Sequence, residues 1–211
     1  MFDCAHPEVR YAGIAHAAGA LRSGRLVVLP TDTLYAITAL ASDRDAVRDL
    51  LAAKQRSPRM PASLLVGSWS AIDEVAGDVP ELARRLIRAF WPGALSLVLP
   101  AAPSLDCRLG DTHGTVMVRM PLHPLALELI HQVGPLAQSS ANLSGSAPAL
   151  SAAAARSQLG SAVSIYLEAG QCSDRPSTIV SVIGKRPTIL REGTIGTKAV
   201  AEVVGTVSVD G

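Results

Sequence analysis

Residues 139–145 read SSANLSG, and they follow an apolar run, VGPLA, over residues 133–137. This pattern predicts a short buried strand that runs directly into a polar turn. A strand that ends in serine and asparagine can place hydrogen-bond donors in a cleft. The alternative interpretation is an Asx or serine turn that only caps the next element. A second polar cluster, Lys54-Gln55-Arg56, has no acidic residue beside it in the sequence, and it favours the cleft.

The composition indicates a globular chain without a general affinity for polyanions. Hydrophobic residues make up 48% and charged residues 18% of the 211 positions. A chain of this length buries roughly 70% of the surface that its unfolded form exposes. Lys and Arg number 19 against 18 Asp and Glu, so any anion site must be a local cluster. No run approaches the roughly 18 apolar residues of a membrane span, and the start lacks a signal-peptide pattern, so we expect a cytoplasmic protein without membrane contact.

Periodicity predicts helices and strands in irregular alternation. The predicted helices cover residues 11–22, 43–54, 80–90, 123–133, 152–159 and 197–204. The predicted strands cover 25–30, 63–66, 95–99, 115–119, 163–167, 178–182 and 188–190. This order favours an α/β fold with a twisted mixed sheet. No linker divides the chain, so we expect one domain over residues 1–211, with the residues after 204 fraying.

The helix at 43–54 has the clearest amphipathic pattern. Val47, Leu50 and Lys54 fall at i, i+3 and i+7, which puts Lys54 on the inward face at the C-terminal end. A cation in this place either complements the helix dipole or points into a cleft. Arg56 and Arg59 follow closely. Three cations within six residues form either an anion-binding site or a solvent-exposed charged face.

Several well-defined catalytic motifs are absent. The chain has no Walker A motif, no GxGxxG, no HExxH, no GxSxG and no Ser-x-x-Lys. The histidines and the three cysteines show no metal-ligand spacing, so no protein metal site is expected. Cations and hydroxyls near predicted strand ends suit the binding of a polyphosphate and a carboxylate. These residues are Thr33, Lys54, Arg56, Arg119, Ser140, Asn142, Ser177 and Arg191.

Six short elements, in order, resemble the YrdC-type family of L-threonylcarbamoyladenylate synthases. They read PTDTLY at 30–35, KQR at 54–56, TVMVRMPLHP at 115–124, SANLSG at 140–145, STIV at 177–180 and LREG at 190–193. The chain departs from the family at Ala36, where glycine is usual, and lacks a histidine in the strand after Pro61. The resemblance implies a YrdC-like fold, in which a twisted mixed sheet flanked by helices surrounds a basic cavity.

The resemblance also implies a reaction. L-threonine and bicarbonate form a carbamate that attacks the α-phosphate of ATP, giving threonylcarbamoyl-AMP and pyrophosphate, with magnesium on the phosphates. Partner proteins then transfer the threonylcarbamoyl group to a tRNA adenosine, and a direct contact with tRNA or double-stranded RNA is compatible with the basic cavity. Family analogy assigns to the nucleotide Lys54, Arg56, Thr115, Ser140, Asn142 and Arg191, and to threonine Thr33, Arg119 and Ser177. Of these, the candidate catalytic residues are Lys54, Arg56, Ser140 and Asn142.

Two alternatives stay open at this point. The first is an RNA-binding module, which the net charge of +1 and the 3% aromatic content disfavour. The second is a family member that binds nucleotide with reduced catalysis, which Ala36 and the missing histidine suggest. Threonine-dependent release of pyrophosphate separates this second alternative from the synthase.

Overall fold

We describe a computed structural model of the chain, in residues 1–55, 57, 60–105, 109–184 and 186–210. The helices are α1 (Pro7–Arg22), α2 (Arg44–Ala53), α3 (Ile72–Val75), α4 (Glu81–Phe90), α5 (Pro124–Val133), α6 (Ala152–Leu159) and α7 (Thr197–Val204). The strands are β1 (Phe2–Asp3), β2 (Val27–Leu29), β3 (Ala36–Leu40), β4 (Ser63–Leu65), β5 (Leu95–Pro100), β6 (Thr115–Arg119), β7 (Leu136–Ser140), β8 (Ile165–Glu168), β9 (Thr178–Ser181), β10 (Thr188–Arg191) and β11 (Ser208–Val209). No helix in these ranges has the length and apolar character needed to cross a membrane.

The strands form one mixed sheet in the order β1-β8-β2-β3-β7-β4-β6-β5-β9-β10-β11. β3 runs antiparallel to both β2 and β7, near the middle of the sheet. β4 pairs parallel with β6, and β5 lies between β6, to which it is antiparallel, and β9, to which it is parallel. This mixed sheet with helices against it confirms the predicted fold class.

Successive side chains alternate between the two faces of the sheet, and both faces carry apolar cores. Val28 and Leu64 point into the larger core, which α2, α4, α6 and α7 cover. Their neighbours Leu29 and Leu65 point to the opposite face, into a second core under α1 and α5. The half of the sheet around β2, β3 and β4 is therefore buried on both sides.

Within the described residues, the second core under α1 and α5 does not extend over β5, β6 and β9. In β6, Val116 and Val118 point into the larger core, so Met117 and Arg119 point the other way. The same alternation in β5 turns Ser96 to that side, because Leu95 and Leu97 belong to the larger core. The second core contains no residue of these three strands. A polar cavity occupies this uncovered part of the sheet.

The fold differs from the sequence-based expectation at several elements: α1 begins at Pro7, and β1 and α3 were not predicted. The central strand β3 was not predicted; its residues, AITAL, include two alanines, which are depleted in strands, beside the strand formers Ile37 and Thr38. The predicted strand at 133–137 instead covers Leu136–Ser140, so it includes both serines. The expectation that residues after 204 fray is wrong, because β11 pairs in parallel with β10 at Thr188 and Ile189.

Candidate active site

A cavity of about 250 Å³ opens on the uncovered part of the sheet. Arg119 and Arg191 line it, and no Asp or Glu is among the described lining residues. Hydroxyl and amide side chains line the rest of its polar surface: Thr31, Thr33, Ser63, Ser96, Gln138, Ser139, Ser140 and Ser177. In the ranges that the structure describes, no group of three His, Cys, Asp or Glu side chains could hold a metal ion. The wall offers positive charge and hydrogen-bond donors, which suits an anionic ligand.

Arg119, the last residue of β6, is fixed by three hydrogen bonds. Its Nε donates to the Gly93 carbonyl at 2.9 Å, Nη1 to Thr33 Oγ1 at 2.7 Å, and Nη2 to Asp32 Oδ1 at 2.5 Å. The side chain is only 5% exposed, and burial lowers the pKa of Arg119 while the Asp32 carboxylate opposes that shift. Three of the five guanidinium N–H groups are thus used. Among the described residues none accepts from the other two, which leaves them for a ligand.

The loop at residues 30–35, which carries Thr33, is anchored at its end by Tyr35. This buried phenol lies 2.6 Å from Glu168 Oε1 and 2.7 Å from the Gly170 carbonyl, and its single hydrogen is shared between these two acceptors. Glu168 Oε2 accepts from the backbone N–H of Ala152 at 2.8 Å, in the first turn of α6. Burial is the main cause that raises the pKa of Tyr35, so its hydroxyl stays neutral and keeps donating. The network joins the loop to β8 and α6 and thereby fixes one wall of the cavity.

A second group of donors lies on β5, β10 and the residue before β9. Arg191 Nε and Nη2 donate to the Ser177 carbonyl at 3.1 and 2.8 Å, and Nη2 also donates to Ser177 Oγ at 3.2 Å. Ser177 Oγ and Ser96 Oγ form a hydrogen bond of 2.9 Å. Burial lowers the pKa of Arg191, and the positive charge of Arg119 lowers it further. Both guanidinium groups line the same cavity, where their positive charges repel each other.

Lys54 lies immediately after α2, and it binds the turn that follows β7. Asp43 begins the helix as its N-cap, with its carboxylate accepting from the N–H groups of Asp45 and Ala46. The Lys54 ammonium is buried, and it donates to the carbonyls of Ser140 and Asn142, the second at 2.6 Å. Its own carbonyl accepts from the Ser144 N–H at 3.0 Å. Both the side chain and the main chain of Lys54 therefore bind the turn that carries Ser140.

The structure brings five of the predicted site residues to the cavity surface. They are Thr33, Arg119, Ser140, Ser177 and Arg191. Lys54 and Asn142 are buried behind that surface, where they bind each other. Thr115 is not among the lining residues, but it shares a face of β6 with Met117 and Arg119, about 7 Å beyond Met117. Arg56 lies outside the described residues.

Two residues to which the sequence analysis assigned no role belong to the site. Asp32, which lies in the PTDTLY element, pairs with Arg119 and also accepts from the Leu122 N–H at 2.9 Å. Ser96 contacts Ser177, which is 81 positions away in the chain. The alternation of polar and apolar residues in β5 was the one available signal for Ser96, since it turns that serine away from the core.

Comparison with known protein families places the chain clearly. The Sua5/YciO/YrdC family model, described as "Telomere recombination", matches residues 19–193. A Mycobacterium tuberculosis protein, provisionally named as a threonylcarbamoyl-AMP synthase, is 56% identical over 205 residues, which are 97% of this chain and 94% of that protein. The threonylcarbamoyl-AMP synthase of Bacillus subtilis is 37% identical over 200 residues. That match covers 93% of this chain and 58% of the Bacillus protein.

Solved structures agree with these sequence matches. The crystal structure of Pyrococcus abyssi Sua5 complexed with L-threonine superposes with a TM-score of 0.90 at 32% identity. The superposition covers 93% of this chain and 58% of that one. Since the family model spans most of the chain and both the sequence and the fold of these relatives match, the chain belongs to the Sua5/YciO/YrdC family.

Proposed function

We propose that the chain is a threonylcarbamoyl-AMP synthase, which makes threonylcarbamoyl-AMP and pyrophosphate from L-threonine, bicarbonate and ATP. The observation that carries the proposal is the cavity itself, with Arg119 and Arg191 on one wall and the Ser140 end of β7 on another. The relatives that bear this activity name, and the L-threonine in the Pyrococcus structure, support it.

Arg119 is the group that would bind the threonine carboxylate. Its two unused N–H groups can donate to two carboxylate oxygens, a geometry that guanidinium groups favour. Asp32 and Gly93 hold the guanidinium in one orientation, so little conformational entropy is lost on binding. Thr33 lies 2.7 Å from Arg119 Nη1, and its hydroxyl would meet the same amino acid.

Ser140 and Arg191 are the cavity residues that would face the nucleotide. A hydroxyl and a guanidinium both donate to phosphate oxygens, and Lys54 fixes the Ser140 backbone from behind. Thr115 would extend this contact along β6, and Asn142 would support the turn with Lys54. Magnesium would reach the site on the phosphates, because no carboxylate lines the described wall, and when bound it neutralises charge on the departing pyrophosphate.

The chemistry requires two bond exchanges. The threonine ammonium loses one proton to solvent, its nitrogen bonds to the bicarbonate carbon, and a C–O bond of bicarbonate breaks so that water leaves. A carbamate oxygen then bonds to the α-phosphorus, and the bond from this phosphorus to the bridging oxygen of the β-phosphate breaks. The described residues supply positioning and charge stabilisation for both exchanges. We further propose that partner proteins consume the product to modify a tRNA adenosine.

Release of pyrophosphate, measured with each substrate omitted in turn, tests the proposal. We expect release only when ATP, L-threonine and bicarbonate are present together with magnesium. Arg191→Gln should lower this rate strongly, while Arg48→Gln on the exposed side of α2 serves as the matched control. Release that is independent of threonine would instead support a different use of the nucleotide site.

A further inference from the structure

We infer that Glu168 is a positioning residue for the reaction, which acts by holding the loop at residues 30–35 in place. The inference rests on the proposed function, in which Thr33 and Arg119 bind threonine. Glu168 is the last residue of β8 and the first of residues 168–172, which we call the bracket segment. It lies in none of the six sequence elements that resemble the family, and it is outside the described lining of the cavity. Any contribution of Glu168 to the reaction must therefore pass through other residues.

The bracket segment binds the loop at residues 30–35 near both of its ends. At the C-terminal end of the loop, the hydroxyl oxygen of Tyr35 accepts from the Ala169 N–H at 3.1 Å. At the N-terminal end, Cys172 Sγ donates to the Thr31 carbonyl at 3.1 Å. A change in the bracket segment is therefore transmitted to the whole loop.

The Glu168 carboxylate fixes the bracket segment with both of its oxygens. Oε1 lies 2.6 Å from the Tyr35 hydroxyl and accepts from the Gly170 N–H at 2.9 Å. Oε2 accepts from the Ala152 N–H at 2.8 Å, in the first turn of α6. One side chain thus joins the loop, the bracket segment and α6, and each connection uses an oxygen that only a carboxylate supplies twice.

The loop in turn sets the orientation of Arg119. Two of the three hydrogen bonds described above for its guanidinium are made to loop residues, Thr33 and Asp32. Within the loop, Thr31 Oγ1 accepts from the Thr33 N–H at 3.1 Å and lies 3.1 Å from Thr33 Oγ1, so a movement of Thr31 carries Thr33 with it. A displaced loop would turn the N–H groups that Arg119 offers to the threonine carboxylate, and small displacements in a site are costly.

Glu168→Gln tests the inference, because glutamine keeps the size of the side chain but has one oxygen in place of two. Its amide nitrogen must face the N–H of either Gly170 or Ala152, so one of these bonds is lost. We expect the Kd for L-threonine in calorimetry and its KM to rise about tenfold, as for one lost hydrogen bond to a charged group. The KM for ATP should stay within about twofold of wild type. Glu202→Gln, at an exposed position of α7, is the matched control and should change none of these constants.

A double-mutant cycle separates positioning from general support of the fold. In a Thr33→Val background, Glu168→Gln should raise the KM for threonine by less than about threefold, since the loop contact through which it acts is already missing. An equal rise in both backgrounds would refute the inference, because Glu168 would then act independently of Thr33.

Tyr35→Phe provides the second test if Glu168→Gln does not fold. It removes the hydroxyl on the loop side of the same contact, and it should raise the KM for threonine by a similar factor. An unchanged KM for threonine in this variant would overturn the inference, and so would a KM for ATP that rises as much as that for threonine. A wild-type protein without threonine-dependent pyrophosphate release would instead refute the proposed function.

Discussion

Lys54 connects the stability of the fold with the geometry of the site, and Lys54→Met separates these two contributions. Methionine keeps most of the buried aliphatic volume, but it removes the ammonium that donates to the carbonyls of Ser140 and Asn142. Hydrogen bonds to a charged group contribute about 1.5–3 kcal/mol each. Losing the desolvation cost of the buried ammonium offsets part of this, so we expect a net destabilisation of about 2 kcal/mol.

Thermal unfolding followed by circular dichroism measures this loss. For a chain of this size, ~2 kcal/mol lowers the Tm by about 4–8 °C. A displaced Ser140 should also lower kcat/KM about 100-fold or more, because small misplacements in an active site are costly. Lys198→Met, at an exposed position of α7, is the matched control and should change neither quantity.

A lost activity with an unchanged Tm would refute this reasoning, since Lys54 would then act on the nucleotide directly and not through the turn. A wild-type activity with a lowered Tm would show that the turn tolerates displacement. Either result separates support of the fold from placement of Ser140.

Two further predictions concern buried groups beside the cavity. Asp32→Asn keeps an oxygen that can accept from Arg119 and Leu122, but it removes the negative charge of an ion pair whose side chains are only 5% (Arg119) and 15% (Asp32) exposed. We therefore expect the free energy of unfolding in urea to fall by about 2 kcal/mol. An unchanged urea midpoint would contradict the claim that this ion pair stabilises the fold. Burial lowers the pKa of His123 below its ordinary 6.5, so the unfolded chain takes up more protons there and stability falls as the pH drops below about 6.5. His123→Asn should remove part of that loss, and identical pH profiles of unfolding for the two proteins would contradict it.

Most of the fold could be predicted from sequence where the pattern was strong. The strand at Thr115–Arg119 and the helices at Ala152–Leu159 and Thr197–Val204 have the predicted bounds. The helix predicted at 43–54 is α2, which covers Arg44–Ala53, with Asp43 as its N-cap and Lys54 as the residue that follows it. The central strand β3 was missed because its small and mixed side chains become a strand only through pairing with β2 and β7. The single-domain organisation of the whole chain stays a prediction.

The site could be predicted only in part, since its contacts join distant parts of the chain. The apolar periodicity of α2 correctly predicted that Lys54 faces inward. It could not indicate that the Lys54 ammonium donates to carbonyls more than 80 positions away in the chain. Asp32 could be given no specific role, because its partner, Arg119, is 87 positions distant. The roles assigned to the site residues by family resemblance stay predictions, and Arg56 lies outside the described residues.

The central claim is that the protein makes threonylcarbamoyl-AMP, a mixed anhydride, from L-threonine, bicarbonate and ATP. Isotopic labelling tests this claim most directly. The protein is incubated with ATP, magnesium, L-threonine and ¹³C-bicarbonate, and the products are analysed by mass spectrometry. The account predicts threonylcarbamoyl-AMP that carries the ¹³C label, formed together with pyrophosphate and missing when threonine is left out. AMP or ADP as the only nucleotide product, or an adenylate without the label, would contradict it.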